Sequence, residues 1–168
     1  AISNDDKIAW SNYKSKWISN PKSRSYAHSL RYKSQAILTT SKTILKDNPR
    51  FTVRKKNKII KNMNVVIIDK NLNIPLNTNL LKNLHERRII IFTSKNNLKS
   101  QKLKQLGCEI IEMKIKNNKL NLKKIFTQLY KLKISDLIVE AGGVLFTDLI
   151  KNNLVDELHL FKTPIIIG

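Results

Sequence analysis

Apolar runs of strand length recur along the chain at 35–40, 64–69, 88–94, 108–113, 136–140 and 157–167, with stretches of helical spacing between them. That alternation predicts an α/β sandwich. Asn20 followed by Pro21 supplies a cap and a first-turn proline, so a helix is expected over 21–33. Leu122, Ile125, Phe126, Leu129 and Leu132 repeat at helical spacing behind Asn121, a second cap. A further helix should follow Gly143, because Leu145, Phe146, Leu149 and Ile150 fall on one side. The stretch from Ser41 to Asp47 reads as a short helix broken by Asn48-Pro49. In the last run Leu158 and Leu160 share a face, which predicts a half-buried antiparallel edge strand.

Composition adds bounds to this pattern. With 168 residues and 41% hydrophobic content the chain can bury one substantial core. A single domain over 1–168 is therefore expected. The chain opens without Met in what reads as a continuing strand and stops just after another, so truncation at both ends is part of that expectation. No apolar run approaches the roughly 20 residues of a membrane span, and the polar, acidic first residues do not form a leader. The expected location is the cytoplasm, with no membrane partner. Cys108 is the one cysteine and precedes a strand-like run, so it reads as a buried apolar side chain.

A formal charge of +20 would ordinarily suggest a nucleic-acid partner. The excess is carried by 26 lysines against 6 arginines, however, whereas phosphate and base recognition leans on arginine's planar fork. Lys, Asn and Ile are also the residues that an AT-rich genome accumulates. We therefore read most of the charge as solvated surface, and keep a basic nucleic-acid-binding module only as the rival from another class. It lacks an aromatic-basic motif, a GXXG loop and a zinc knuckle.

The strongest local signal is Leu137-Ile-Val-Glu-Ala-Gly-Gly-Val-Leu-Phe-Thr-Asp148, a strand ending in two glycines and running into a helix. Glycines there let a ligand approach the backbone, and free amides at the helix start attract phosphate. A nucleotide pyrophosphate and a plain tight turn both satisfy this segment. Glu140 falls at the strand's carboxyl end, where open α/β sheets place ligands. Arg50 and Arg54 follow the Asn48-Pro49 break and suit paired hydrogen bonds to phosphate, or serve as surface cations. Trp17, between Ser15 and Ser19, suits either stacking on a base or packing beneath a loop. His28, His85 and His159 have no ligand-spaced partners, so no metal site is expected.

Taken together, four stretches resemble the C-terminal reductase domain of bacterial riboflavin-biosynthesis deaminase-reductases. They are Ile2-Ser-Asn-Asp-Asp-Lys-Ile-Ala9 with Ser15-Lys-Trp-Ile-Ser19; Leu30-Arg31 leading to Ala36-Ile-Leu38; Thr43-Ile-Leu-Lys-Asp-Asn-Pro-Arg-Phe-Thr-Val-Arg54; and Val139-Glu-Ala-Gly-Gly143 with Leu154-Val-Asp-Glu-Leu158. The resemblance implies a dihydrofolate-reductase-like fold, with a mostly parallel central sheet, an antiparallel C-terminal strand and helices on both faces. It also implies reduction of 5-amino-6-(5-phosphoribosylamino)uracil by NADPH in a homodimer. The deaminase half's zinc signature has no counterpart here.

The substrate contacts implied by the resemblance are Ser15, Arg31, Phe51, Arg54 and Glu140. The implied cofactor contacts are Ala1, Trp17, Thr43, Asp47, Gly142, Gly143, Val144, Leu145, Phe146, Thr147 and Asp148. Within that frame we expect Arg31 and Arg54 to clamp the substrate phosphate and Glu140 to accept hydrogen bonds from the pyrimidine or sugar. Lys70 is the candidate cation for the ribose 2′-phosphate. No proton donor is assigned. Three residues depart from the family pattern: Asp6 stands where glycine is usual, Asn48 where Asp is usual, and Phe51 where Leu is usual. A related reductase acting on another pyrimidine or on a pterin is the nearer rival.

Overall fold

The computed structural model describes residues 1–8, 10, 20–56 and 58–167. The elements in chain order are α1 (Pro21–Lys33), β1 (Ala36–Thr40), α2 (Ser41–Asp47), β2 (Thr52–Lys55), β3 (Lys58–Asn62), β4 (Asn64–Ile68), a 3₁₀ helix (Asn79–Glu86) and β5 (Ile89–Thr93). There follow α3 (Leu98–Gln105), β6 (Glu109–Glu112), β7 (Ile115–Lys116), β8 (Lys119–Leu120), α4 (Leu122–Lys131), β9 (Leu137–Val139) and α5 (Gly143–Lys151).

Five strands form one parallel sheet in the order β6-β5-β4-β1-β9. Alternation along each strand divides its side chains between two layers. Ile37, Val65, Ile67, Ile89 and Ile91 pack on one face with Ile44 of α2, Leu80 of the 3₁₀ helix and Leu103 of α3. Leu38, Val66, Ile90 and Phe92 pack on the other with Ile125 and Leu129 of α4 and Leu145 and Leu149 of α5. Because both faces are covered, β1, β4 and β5 are apolar at nearly every position, as the sequence runs showed. Cys108 is buried in the first layer, and burial pushes its thiol up to about 11.

Helix ends follow the side chains that cap them. Asn20 accepts from the Ser23 amide at the start of α1, and Asn121 from the Lys124 amide at the start of α4. The antiparallel β2–β3 hairpin lies beside α1, and its inward side chain Val53, with Phe51 and Met63 at its two ends, joins the first layer.

The expected C-terminal antiparallel strand is not formed among the described residues. Residues 157–167 make one bridge, Ile2 with Lys162, and its sense is parallel. Beside it the Asn4 amide also donates to the Ile165 carbonyl at 2.7 Å, and the chain then turns, with the Asp6 amide donating to the Ser3 carbonyl at 3.1 Å, so no ladder follows. Leu158 and Leu160, the pair expected to mark a buried face, are accordingly exposed.

The central position of Phe92, with no exposed surface, sets the first expectation. Phe92→Ala should cost about 3–5 kcal/mol of unfolding free energy in urea titration, against less than about 0.5 for Val144→Ala on the surface. Similar costs for the two would contradict this layering.

Candidate active site

A parallel sheet delivers every strand's carboxyl end to one edge. The chain leaves β1 toward β4, β5 and β6 on one side, and β9 returns on the other, so β1 and β9 flank the point where strand order reverses. Crevices at such points are where open α/β sheets hold ligands. Helices α2 and α5 start there, α2 directly after β1 and α5 after the short 140–142 link from β9.

Glu140 extends β9 into this crevice. Its amide donates to the Leu38 carbonyl at 2.9 Å, and its carbonyl accepts from Thr39 Oγ1 at 2.7 Å, so β1 holds the backbone on both sides. Its carboxylate is gripped side-on by Arg31, with Nε to Oε1 at 2.5 Å and Nη2 to Oε2 at 2.7 Å. Arg31 Nη1 donates to the Thr52 carbonyl at 2.9 Å. One guanidinium thereby joins α1, β2 and the end of β9, partners as far apart as 109 positions. The Phe51 ring lies 6.0 Å from the guanidinium carbon, and Arg54 Nε donates to Thr52 Oγ1 at 3.1 Å.

The structure thus brings together Arg31, Phe51, Arg54 and Glu140, four of the five expected substrate residues. Ser15, the fifth, lies outside the described residues, as does Trp17. The roles expected for Arg31 and Glu140 require adjustment, since the two bind each other. Of the five N–H groups in arginine's fork, three are engaged by Glu140 and Thr52. Arg54 is the more exposed cation.

Apart from Ala1, and from Trp17 outside the described residues, the expected cofactor residues fall on α2 and α5 or just before α5. Thr43 lies in the first turn of α2, its amide donating to Thr40 Oγ1, and Asp47 ends that helix, exposed. At α5 the N-cap is Gly142, which offers no side chain to the first amides. Gly142, Gly143, Val144 and Thr147 are exposed. A Cβ on Gly142 would meet nothing within 4 Å, whereas one on Gly143 would stand 3.7 Å from Ile8 Cδ1. The Leu145 side chain belongs to the core, so any contact from Leu145 runs through its backbone, and Phe146 is half-buried. Asp148 is paired with Lys119 Nζ at 2.8 and 2.9 Å. Ala1 is exposed beside the Ile2–Lys162 bridge. Lys70, at the end of β4, gives its ammonium to the carbonyl and side chain of Asn118 in the β7–β8 turn at 3.0 and 2.7 Å.

All three departures from the family pattern sit in left-handed backbone: Asp6 at φ 60°, Asn48 at 40° and Phe51 at 45°. Asp and Asn tolerate that region, but for a bulky side chain it costs roughly 1–2 kcal/mol. Burial of the Phe51 ring in the first layer offsets that cost.

One member of the cluster escaped sequence reasoning. His28 Nδ1 accepts from the Arg54 amide at 3.3 Å, which places the neutral ring's proton on Nε2. Its position three residues before Arg31 on a predicted helix was the available signal. Burial, then the charges of Arg31 and Arg54, lower its pKa from the usual 6.5, while Glu140 and a hydrogen bond with Thr52 oppose them.

Comparison with known proteins places this geometry in context. The model of a family described as the RibD C-terminal domain matches residues 1–168. The riboflavin biosynthesis protein RibD of Aquifex aeolicus is 36% identical over 98% of the chain and 44% of its own length. A 5-amino-6-(5-phosphoribosylamino)uracil reductase of Buchnera aphidicola is 32% identical over 92% of the chain and 77% of its own length. The solved structure of Acinetobacter baumannii RibD matches with a TM-score of 0.83 and 25% identity, covering 99% of this chain and 46% of that one. The chain therefore spans about half the length of the RibD proteins it matches. The dihydrofolate-reductase-like fold expected from resemblance holds.

The depressed His28 pKa has a defined sign. The unfolded chain takes up the proton first as pH falls, so this group's contribution to stability is intact above about pH 6.5 and declines below it. His28→Gln should flatten the fall in urea midpoint between about pH 6.5 and 5. Parallel profiles for the two proteins would remove His28 as the cause.

Proposed function

The chain belongs to the RibD C-terminal domain family, and we propose that it reduces 5-amino-6-(5-phosphoribosylamino)uracil to its ribitylamino product with NADPH. The observation that carries this reading is the meeting of Arg31, Phe51, Arg54 and Glu140 beside the open start of α5. That meeting supplies cations for a phosphate, an apolar wall for a ring and a carboxylate for polar groups.

The residues present suit a dinucleotide. The first amides of α5 have no side-chain cap, both glycines are exposed, and the space beside Gly142 is open, which together favour a pyrophosphate. Gly142 to Asp148, with Thr43 and Asp47 opposite, would hold NADPH, which supplies a hydride when bound. The protein's own contribution is then positional. Arg54, aided by the remaining N–H groups of Arg31, holds the substrate phosphate, and Glu140, already oriented by Arg31, accepts from the pyrimidine or sugar. Fixing both molecules turns an encounter into a unimolecular step, and that alone supplies much of a rate enhancement. Ser15 and Trp17 belong to the same reading, as does a cytoplasmic homodimer, whose subunit number sedimentation would give.

The test follows NADPH absorbance in the whole protein with freshly deaminated substrate, using the non-deaminated pyrimidine and dihydrofolate as controls. Consumption only with the first is expected. Consumption with dihydrofolate alone would move the assignment to a pterin. Arg54→Ala should raise KM for the pyrimidine about 10- to 100-fold and leave that for NADPH nearly unchanged. Equal rises would contradict the phosphate assignment. Lys70 is proposed as the 2′-phosphate cation once it exchanges Asn118 for that group. Lys70→Glu should then narrow the preference for NADPH over NADH, and an intact preference would dismiss it.

A further inference from the structure

Arg87 stands outside the cluster described above, and we propose that it is the positioning residue for the arm, residues 50–54, that carries Phe51 and Arg54 to the substrate. The proposal rests on the functional reading just given. Arg87 is the C-cap of the 3₁₀ helix and is only 8% exposed. Its Nη1 donates to the Arg50 carbonyl at 2.7 Å and reaches the Phe51 carbonyl at 3.5 Å. Its Nη2 donates to Asn62 Oδ1 at 2.7 Å. Asn62 is the ladder partner of Thr52, and its amide donates in turn to Glu86. A single planar fork therefore joins the segment that leads into β2 to the last residue of β3, at the open end of the hairpin.

This is an expensive way to fill space. No salt bridge to Arg87 is found among the described residues, its Nε has no hydrogen-bond partner there, and burial works against its charge, opposed in part by the nearby charge of Glu86. A methionine would occupy similar volume without a buried cation, and such replacements are often neutral or stabilising. What the guanidinium supplies is direction. The turn before β2 contains two residues at positive φ, Asn48 and Phe51, and is held at both ends by the 79–87 segment, two helical turns joined by a kink at Asn83. Asn79, at the start of the 3₁₀ helix, donates its amide to Asn48 Oδ1 and its side chain to the Asn48 carbonyl. Arg87, just past the end, holds Arg50 and Phe51. The next carbonyl, Thr52, is the one that Arg31 uses, and the Thr52 hydroxyl is the one that Arg54 uses. A tilt of this turn moves the apolar wall and Arg54 together and draws the Thr52 carbonyl away from Arg31, while Glu140 and the start of α5 stay where β9 puts them.

The test compares Arg87→Met and Arg87→Lys with Arg88→Met, an exposed neighbour paired with Glu109. In Arg87→Met we expect KM for the phosphorylated pyrimidine to rise about tenfold or more, with KM for NADPH within about twofold. Amide hydrogen exchange at 50–54 should quicken in the whole protein. Arg87→Lys, which keeps charge but not the fork, should fall between, and Arg88→Met should match the parent. Equal losses in both KM values, or an unchanged substrate KM with unchanged exchange at 50–54, would overturn the proposal. If Arg87→Met does not fold, Asn62→Ala removes one anchor of the fork and should show the same split at smaller size; no split would count against Arg87. If the parent protein fails to reduce the pyrimidine, the functional reading falls. Exchange at 50–54 then decides Arg87 alone, with faster exchange supporting its hold on the arm and unchanged exchange refuting it.

Discussion

The site depends on where β1 lies. Ala36, Ile37, Leu38 and Thr39 have no exposed surface, and the strand is paired in parallel with β4 on one side and β9 on the other. A strand buried on both faces and both edges cannot slip register, since a shift of one residue would exchange its two packed layers. Its carboxyl end and that of β9 are therefore fixed relative to each other. Everything chemical hangs from those two ends: α2 from one, Glu140 and α5 from the other.

Arg31 converts this rigid frame into a site. The sheet alone would leave α1, which contributes no fully buried side chain, loosely attached, and the β2–β3 hairpin anchored through Val53 and its flanks but not joined to the end of β9. The side-on pair with Glu140 and the bond to the Thr52 carbonyl tie those peripheral pieces to the centre. Geometry of this kind is the strong form of an ion pair, with two parallel bonds and little freedom left to lose. It also explains why an arginine that reads as a ligand residue in the sequence behaves in the free protein as a brace.

Much of this is legible in the sequence. The runs that became β1, β4 and β5 are apolar because they are covered on both sides, those of the edge strands β6 and β9 are half-buried, and α1 and α4 begin at the asparagines that cap them. The site's composition came from resemblance and its assembly from the fold. Harder to read was anything whose partner is backbone. The Thr52 carbonyl leaves no mark in a sequence, nor do the carbonyls gripped by Arg87. The β2–β3 hairpin escaped because its turn region is a run of lysines, although the β7–β8 turn carries Asn117-Asn118, both at positive φ, a pattern that hairpins favour. Residues 157–167 failed for the opposite reason. Their alternation is real, but a strand exists only where another offers its amides and carbonyls, and Ile2 offers one bridge.

The buried thiol of Cys108 gives the molecule a clock. It is the one cysteine in the chain, it sits in the first layer where α3 meets β6, and its raised pKa keeps it protonated at neutral pH. A protonated, enclosed sulfur does not react, so alkylation has to wait for that corner of the sheet to open. The rate at which a small electrophile labels the intact protein therefore counts openings at the edge farthest from β9, a record of breathing kept by an atom buried across the sheet from the proposed site.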